Sequence, residues 1–239
     1  MKTYLINLPK NKDRLASMDT QLKKFGIDYE SFAIIGAELT KKELRNKVSF
    51  VRSYLAEGRR LTIAEIGCTL SHLEAYRRIL AGGLPYALIL EDDVILEDDF
   101  PSALCDVKKK LDPNKPQVVL MSGMGLSQTD RESKLGCVRT KWATCCDAYC
   151  VTHKAAEVLI AQNYPIITVC DRYTRWIKRG LIEMYRYLPV TARQDQIGFK
   201  SDLGEERFKK AGKLMLPFYK IKRGMGIVLD WLLYKITGR

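Results

Sequence analysis

Three consecutive carboxylates, Glu91, Asp92 and Asp93, end the apolar run YALILEDD at residues 86–93. β-formers without polar alternation read as a strand buried on both faces, as at the centre of an α/β sheet. Acids at the carboxyl end of such a strand stand in the crevice where open α/β sheets bind ligands. Neighbouring carboxylates repel one another, and they ionise most easily when a divalent cation or the donors of a ligand share the site. The stretch reads equally as a strand followed by a solvated acidic turn, continued by Glu97, Asp98 and Asp99. If strand alternation runs through the acids, Glu91 and Asp93 share one face, and if Asp93 binds metal, Glu91 beside it can act through water. Asp92, on the other face, then accepts hydrogen bonds from a sugar hydroxyl.

Two further groups can bind or react. Asn7 and Arg14 lie at the end of the first strand and the start of the first helix, a place that suits anions. Ser71 and His72 lie in LTIAEIGCTLSHLEAY, where His72 stands beside the apolar helix face, as a structural histidine or a functional one. Glu65 in the same segment completes a capping box with Thr62. No glycine-rich phosphate loop is present, so metal and basic side chains would have to neutralise a diphosphate.

The elements that must position these residues follow from periodicity. Thr3–Leu8 is a strand. Leu15, Met18, Leu22 and Phe25 trace a helix capped by Asn11 and closed by Gly26, and Tyr29–Ile35 is a second strand. Strand, helix, strand opens a parallel sheet. A polar, basic stretch at 38–60 reads as a helix and an exposed loop. The helix from Thr62 to Gly82-Gly83 then feeds the acidic strand. A helix around 99–111, strands at Gln117–Ser122, Val138–Trp142, Ala148–Thr152 and Glu183–Leu188, and helices around 153–162 and 171–179 complete the α/β pattern.

A chain of 239 residues can bury a substantial core, and its net charge of +12 points to an anionic partner. Residues 205–239 carry nine basic residues and three acids, half of that charge. Leu216, Phe218, Tyr219, Trp231, Leu232 and Tyr234 sit among those lysines and arginines. The composition suits an amphipathic helical tail on an anionic membrane surface, or a terminal helix docked on the core. The expected division is therefore 1–204 as the folded domain and 205–239 as the tail. No nucleic-acid motif accompanies the charge. MKTYLINLPK is too short and too soon broken by Pro9 to read as a signal peptide. Seven scattered cysteines without a CxxC pair read as reduced and cytosolic. Cys145, Cys146 and Cys150 lack zinc-type spacing and read as small core residues.

INLPKNKDRLASM, LTIAEIGCTLSHLEAY, ALILEDDV and DAYCVTHKAAEVL…PIITVCD, in this order, resemble glycosyltransferase family 25 over residues 1 to about 200. That family comprises the lipooligosaccharide β-1,4-galactosyltransferases of Gram-negative bacteria and their collagen-modifying relatives. The resemblance implies a GT-A fold with a mixed, mainly parallel central sheet flanked by helices. It also implies a UDP-hexose donor, galactose first, a Mn²⁺ (or Mg²⁺) ion at Glu91-Asp92-Asp93, inversion at the anomeric carbon and a lipid-linked oligosaccharide acceptor. Asn7 to Arg14 would hold the uridine diphosphate, and Ser71-His72 matches the family's Ser-His pair. The expected location is the cytoplasmic face of the inner membrane. The chain departs from the family at Ile63-Ala64 before Glu65, and at Asp147 where relatives often have Gly, Ser or Thr.

Transfer needs a general base outside the metal motif. Asp171, after the apolar PIITVC run and at the opening of a helix, and so at a strand-to-helix turn, is the first candidate, Asp147 the second, and Asp195 or another acid the remainder. Asp171 is also a common type of helix cap. Two other classes use the same features: a metal-dependent phosphate-ester hydrolase, and a non-catalytic basic protein binding anionic lipid or nucleic acid.

Overall fold

The computed structural model describes residues 1–123, 135–195 and 198, with Val228, Leu232, Lys235 and Ile236. Two compact units divide the chain, with boundaries inside two of its helices. The larger comprises Met1–Ala33, Ser71–Leu159 and Cys170–Lys200. It holds a seven-stranded sheet in the order β2-β1-β3-β7-β5-β8-β6. The strands are β1 (Lys2–Ile6), β2 (Glu30–Phe32), β3 (Tyr86–Glu91), β5 (Gln117–Leu120), β6 (Gly136–Arg139), β7 (Ala148–Thr152) and β8 (Glu183–Leu188). Five run one way, and β6 and β7 run against them. The expected mixed, mainly parallel α/β sheet is thus the one observed.

α1 (Lys12–Lys24) links β1 to β2, and β3 pairs with the other edge of β1. Strand order therefore reverses direction between β1 and β3, which makes the ends of these two parallel strands a topological switch point. In β3, Ala87 to Leu90 are fully buried. Leu88 and Leu90 join Met18 and Leu22 of α1 and Phe100, Ala103 and Val107 of α5 (Phe100–Lys110) in one core cluster. Alternation sends Ala87, Ile89 and Glu91 to the opposite face.

A small antiparallel ribbon escaped the sequence pattern. β4 (Val94–Leu96) pairs with β9 (Ala192–Gln194), and the Asp195 N–H donates to the Asp93 carbonyl at 2.7 Å. Asp92 and Asp93 lie in the turn between β3 and β4, so strand alternation does not place Asp93 as expected.

The second unit comprises Ile34–Leu70, Ile160–Val169 and the chain from Ser201. The stretch expected as one helix and a loop forms two helices, α2 (Lys41–Lys47) and α3 (Phe50–Glu57). α4 (Ile63–Ala81) starts at the expected box: the Thr62 N–H donates to Glu65 Oε2 at 2.9 Å, and the Glu65 N–H to Thr62 Oγ1 at 3.2 Å. A Cβ on Gly67 would lie 2.8 Å from the Ile34 carbonyl oxygen and 2.7 Å from the Gly36 nitrogen, so only glycine admits this approach of two backbones.

The PIITVC run is not a strand. Asn163, which ends α6 (His153–Asn163), accepts through Oδ1 from the Ile167 and Thr168 N–H groups, both at 3.1 Å. Its amide takes the place of a sheet neighbour. The tail expected at 205–239 lies outside the described residues apart from four helical positions. No helix among the described residues is long and apolar enough to cross a membrane.

Candidate functional site

The carboxyl ends of β1 and β3 carry the first group. Asp92 Oδ1 accepts from the Arg14 guanidinium at 2.9 Å, and Oδ2 accepts from Asn7 Nδ2 at 2.8 Å and Asn11 Nδ2 at 3.2 Å. Asn11 stands at the cap position expected of it, but its side chain makes no cap bond and turns to Asp92 instead. Both Asp92 oxygens are therefore held by the protein, where the sequence reading left them for a sugar hydroxyl. Arg14, expected to face an anion, spends part of its charge on Asp92 and stands 3.8 Å from Asp93 Oδ2.

Asp93 is less well satisfied. Gln194 Nε2 donates to Oδ2 at 2.9 Å, whereas Oδ1 is buried without a hydrogen-bond partner among the described residues. Burial, then the charges of Glu91 and Asp92, push its carboxyl up to about 6. A buried, partly orphaned carboxylate beside two other acids is the donor set that a hard divalent ion completes. These residues fit such an ion.

The opposite face of β3 carries the second group. The register Ile89↔Tyr149 puts Tyr149 of β7 on the same side as Glu91. His72 of α4, fully buried, meets both: Nδ1 lies 2.8 Å from the Tyr149 hydroxyl and Nε2 lies 3.0 Å from Glu91 Oε1. The hydroxyls continue from Tyr149 to Tyr76 at 2.9 Å and from Tyr76 to Tyr173 at 3.5 Å. Cys146 Sγ stands 3.4 Å from both His72 Nε2 and Glu91 Oε1, and 3.2 Å from Cys170 Sγ. Ser71 is buried beside His72 in the chain. Cys150 is the core residue its composition suggested, but Cys146 belongs with functional groups. Residue spacing carries no sign of that, because its partners come from three distant segments.

Asp147 precedes β7, and its carbonyl accepts the Glu91 N–H at 2.7 Å. Ser122 donates to Asp147 Oδ1 at 2.5 Å, and the buried Arg186 guanidinium donates to the Ser122 carbonyl at 2.7 Å. Asp147 Oδ2 is buried without a partner among the described residues. Burial and the Glu91 charge raise this carboxyl to about 6, against the pull of Ser122.

Asp171 lies in a turn ahead of α7 (Tyr173–Lys178). It is neither at a strand end nor the cap residue, which is Arg172. Its charge is felt at Cys145: burial first, then the charges of Asp147, Asp171 and Glu91, push that thiol up to about 12. Cys145 itself adopts φ 72°, a left-handed conformation rare for a side-chain-bearing residue. Asp195 contributes its backbone to Asp93, and its carboxylate accepts from the Gly198 N–H at 2.7 Å.

An α/β sheet with acids and a basic clamp at its switch point defines a ligand-binding protein of the open-sheet class. The family model for glycosyltransferase family 25 (LPS biosynthesis protein) matches residues 1–174, and the chain belongs to that family. A glycosyltransferase 25 family member of Aedes aegypti is 33% identical over 108 residues, 44% of this chain and 18% of the relative. The procollagen galactosyltransferase 2 of Mus musculus is 30% identical over 113 residues, 46% of this chain and 18% of its own. The inactive glycosyltransferase 25 family member 3 of Homo sapiens is 33% identical over 107 residues, 43% of this chain and 18% of its own. The matched region thus spans less than a fifth of these curated relatives.

Proposed function

We propose that this family 25 glycosyltransferase moves a hexose, galactose first, from a UDP-sugar to a sugar hydroxyl of a lipooligosaccharide acceptor, with inversion, on a GT-A type fold. The observation that carries the reading is Asp93, with a buried orphan oxygen at the switch point, flanked by Glu91 and by the Arg14–Asp92 clamp. Asp93 and Glu91 would hold Mn²⁺ (or Mg²⁺), and the ion would supply a Lewis acid for the charge on the departing diphosphate. Asn7 and Arg14 line the same end of β1 for the nucleotide, and His72, next to the buried Ser71, supports Glu91.

The general base is Asp171 or Asp147. Asp171 is half-buried in a turn, while Asp147 has the carboxyl raised toward neutrality that general-base work favours. The basic tail would hold the enzyme at the anionic cytoplasmic face of the inner membrane, near a lipid-linked acceptor. Val228, Leu232 and Ile236 are helical and exposed at four-residue spacing, one apolar stripe of such a helix.

The inactive human relative favours a second reading, in which the fold is kept without transfer. A screen of UDP-galactose, UDP-glucose and UDP-N-acetylhexosamines with Mn²⁺, over truncated lipooligosaccharide, decides. Turnover with one donor supports transfer, and donor hydrolysis alone or no turnover with any donor sinks it. Adding a generic phosphate ester tests the hydrolase alternative in the same assay.

A further inference from the structure

Cys146 Sγ, His72 Nε2 and Glu91 Oε1 form a closed triangle with edges of 3.4, 3.4 and 3.0 Å. Protons can satisfy the triangle, with Glu91 accepting from both Nε2–H and S–H. A deprotonated Cys146 and a bare Nε2 would instead present, with the carboxylate, three electron-pair donors facing one point, the arrangement that a single cation takes. With zinc-type bond lengths, tetrahedral ligands stand about 3.3 to 3.5 Å apart for nitrogen–oxygen pairs and about 3.5 to 3.6 Å for sulfur–nitrogen pairs. The observed edges are shorter by a few tenths of an ångström, so ligation would open the triangle slightly. A second thiol, Cys170, is 3.2 Å from Cys146.

We propose that His72, Glu91 and Cys146, with Cys170 beside them, bind a borderline-soft divalent cation of the zinc class. Thiolate and imidazole are donors for such an ion, unlike the all-oxygen set that suits manganese or magnesium at Asp93; Glu91 would serve the triangle through Oε1 and the ion at Asp93 through its other oxygen. The surroundings match a metal-bound histidine, whose other ring nitrogen is held by a hydrogen-bond partner: Nδ1 meets the Tyr149 hydroxyl at 2.8 Å. The site needs no sugar transfer, and its failure and the failure of the transferase reading separate experimentally.

The test is a titration of the full chain, chelator-treated and kept reduced without added thiols, with Co²⁺ and then Zn²⁺. One equivalent of Co²⁺ should give thiolate-to-cobalt charge-transfer absorption, displaced by one equivalent of Zn²⁺. Cys146→Ser should lose that absorption and weaken Zn²⁺ binding at least about tenfold. Cys105→Ser, at an exposed thiol away from the triangle, and Asp93→Ala should both keep it. Absence of the charge-transfer band in the unaltered chain overturns the proposal whatever the variants do. Its persistence in Cys146→Ser, or its loss in Cys105→Ser, also overturns it.

Discussion

Arg14 and Asp92, 78 residues apart in the chain, form a buried ion pair at 2.9 Å that ties the first turn of α1 to the turn after β3. Asn7 and Asn11 fill the remaining oxygen of Asp92, so the pair is fully hydrogen-bonded on the carboxylate side. Asp92→Asn keeps the shape but removes the nearer counter-charge of the guanidinium, leaving Asp93 at 3.8 Å. The expected cost is about 3 kcal/mol of stability, read from the urea midpoint at unchanged slope.

Asp93→Ala should abolish metal-dependent UDP-sugar binding, measured by calorimetry. Asp171→Asn should leave binding in place and remove turnover. Normal turnover in the Asp171 variant passes the role of base to Asp147, whose Asn variant then becomes the inactive one.

Asp93 and Asp147 both have folded pKa values of about 6, raised from 3.8. Each binds its proton more tightly in the folded chain, so its stabilising contribution is complete below the unfolded value and is lost as pH rises through about 6. A cation at Asp93 competes with that proton. The rise in melting temperature on adding Mn²⁺ should therefore be small at about pH 5 and full at about pH 7.5. Equal shifts at the two pH values would show that the ion binds elsewhere.

Ser122 holds Asp147 below where burial alone would put it. Ser122→Ala should move the acid limb of the turnover profile upward in pH if Asp147 is the base, and leave it in place if Asp171 is.

Gly67→Ala drives a methyl group into the backbone at Ile34 and Gly36, where no flexible side chain can yield. A loss of at least about 3 kcal/mol, or failure to fold, is expected from urea denaturation. The glycine of the EIGC motif is thereby a packing residue.

Strands whose residues are buried on both faces were legible from the sequence, because an uninterrupted apolar run has little else to become. β8 occupies the expected Glu183–Leu188, and β3 ends at the first acid. The three-residue ribbon of β4 and β9 was not legible: each strand is too short for periodicity, and its partner lies about a hundred residues away. The apolar PIITVC run misled for a different reason. Its buried backbone is satisfied by one asparagine side chain at Ile167 and Thr168 and by a single bridge from Ile166 to the Lys47–Ser49 segment, neither of which hydropathy registers. Within the site, residue types singled out the acids, Arg14 and His72. Sequence spacing could not bring Cys146 to Cys170 or turn Asn11 from its own helix to Asp92, since both depend on how distant segments cross.

The hydroxyls of Tyr149, Tyr76 and Tyr173 lie in a row leading away from His72, and burial raises all three phenols far enough to keep them neutral. Each hydroxyl has one proton to give, so the row has a polarity. When Nδ1 carries the imidazole proton, Tyr149 must accept from it and pass its own hydrogen onward to Tyr76. When Nδ1 is bare, the order runs back toward the ring. The tautomer of one histidine is thus written, without any change of charge, into the orientation of three phenols in the interior.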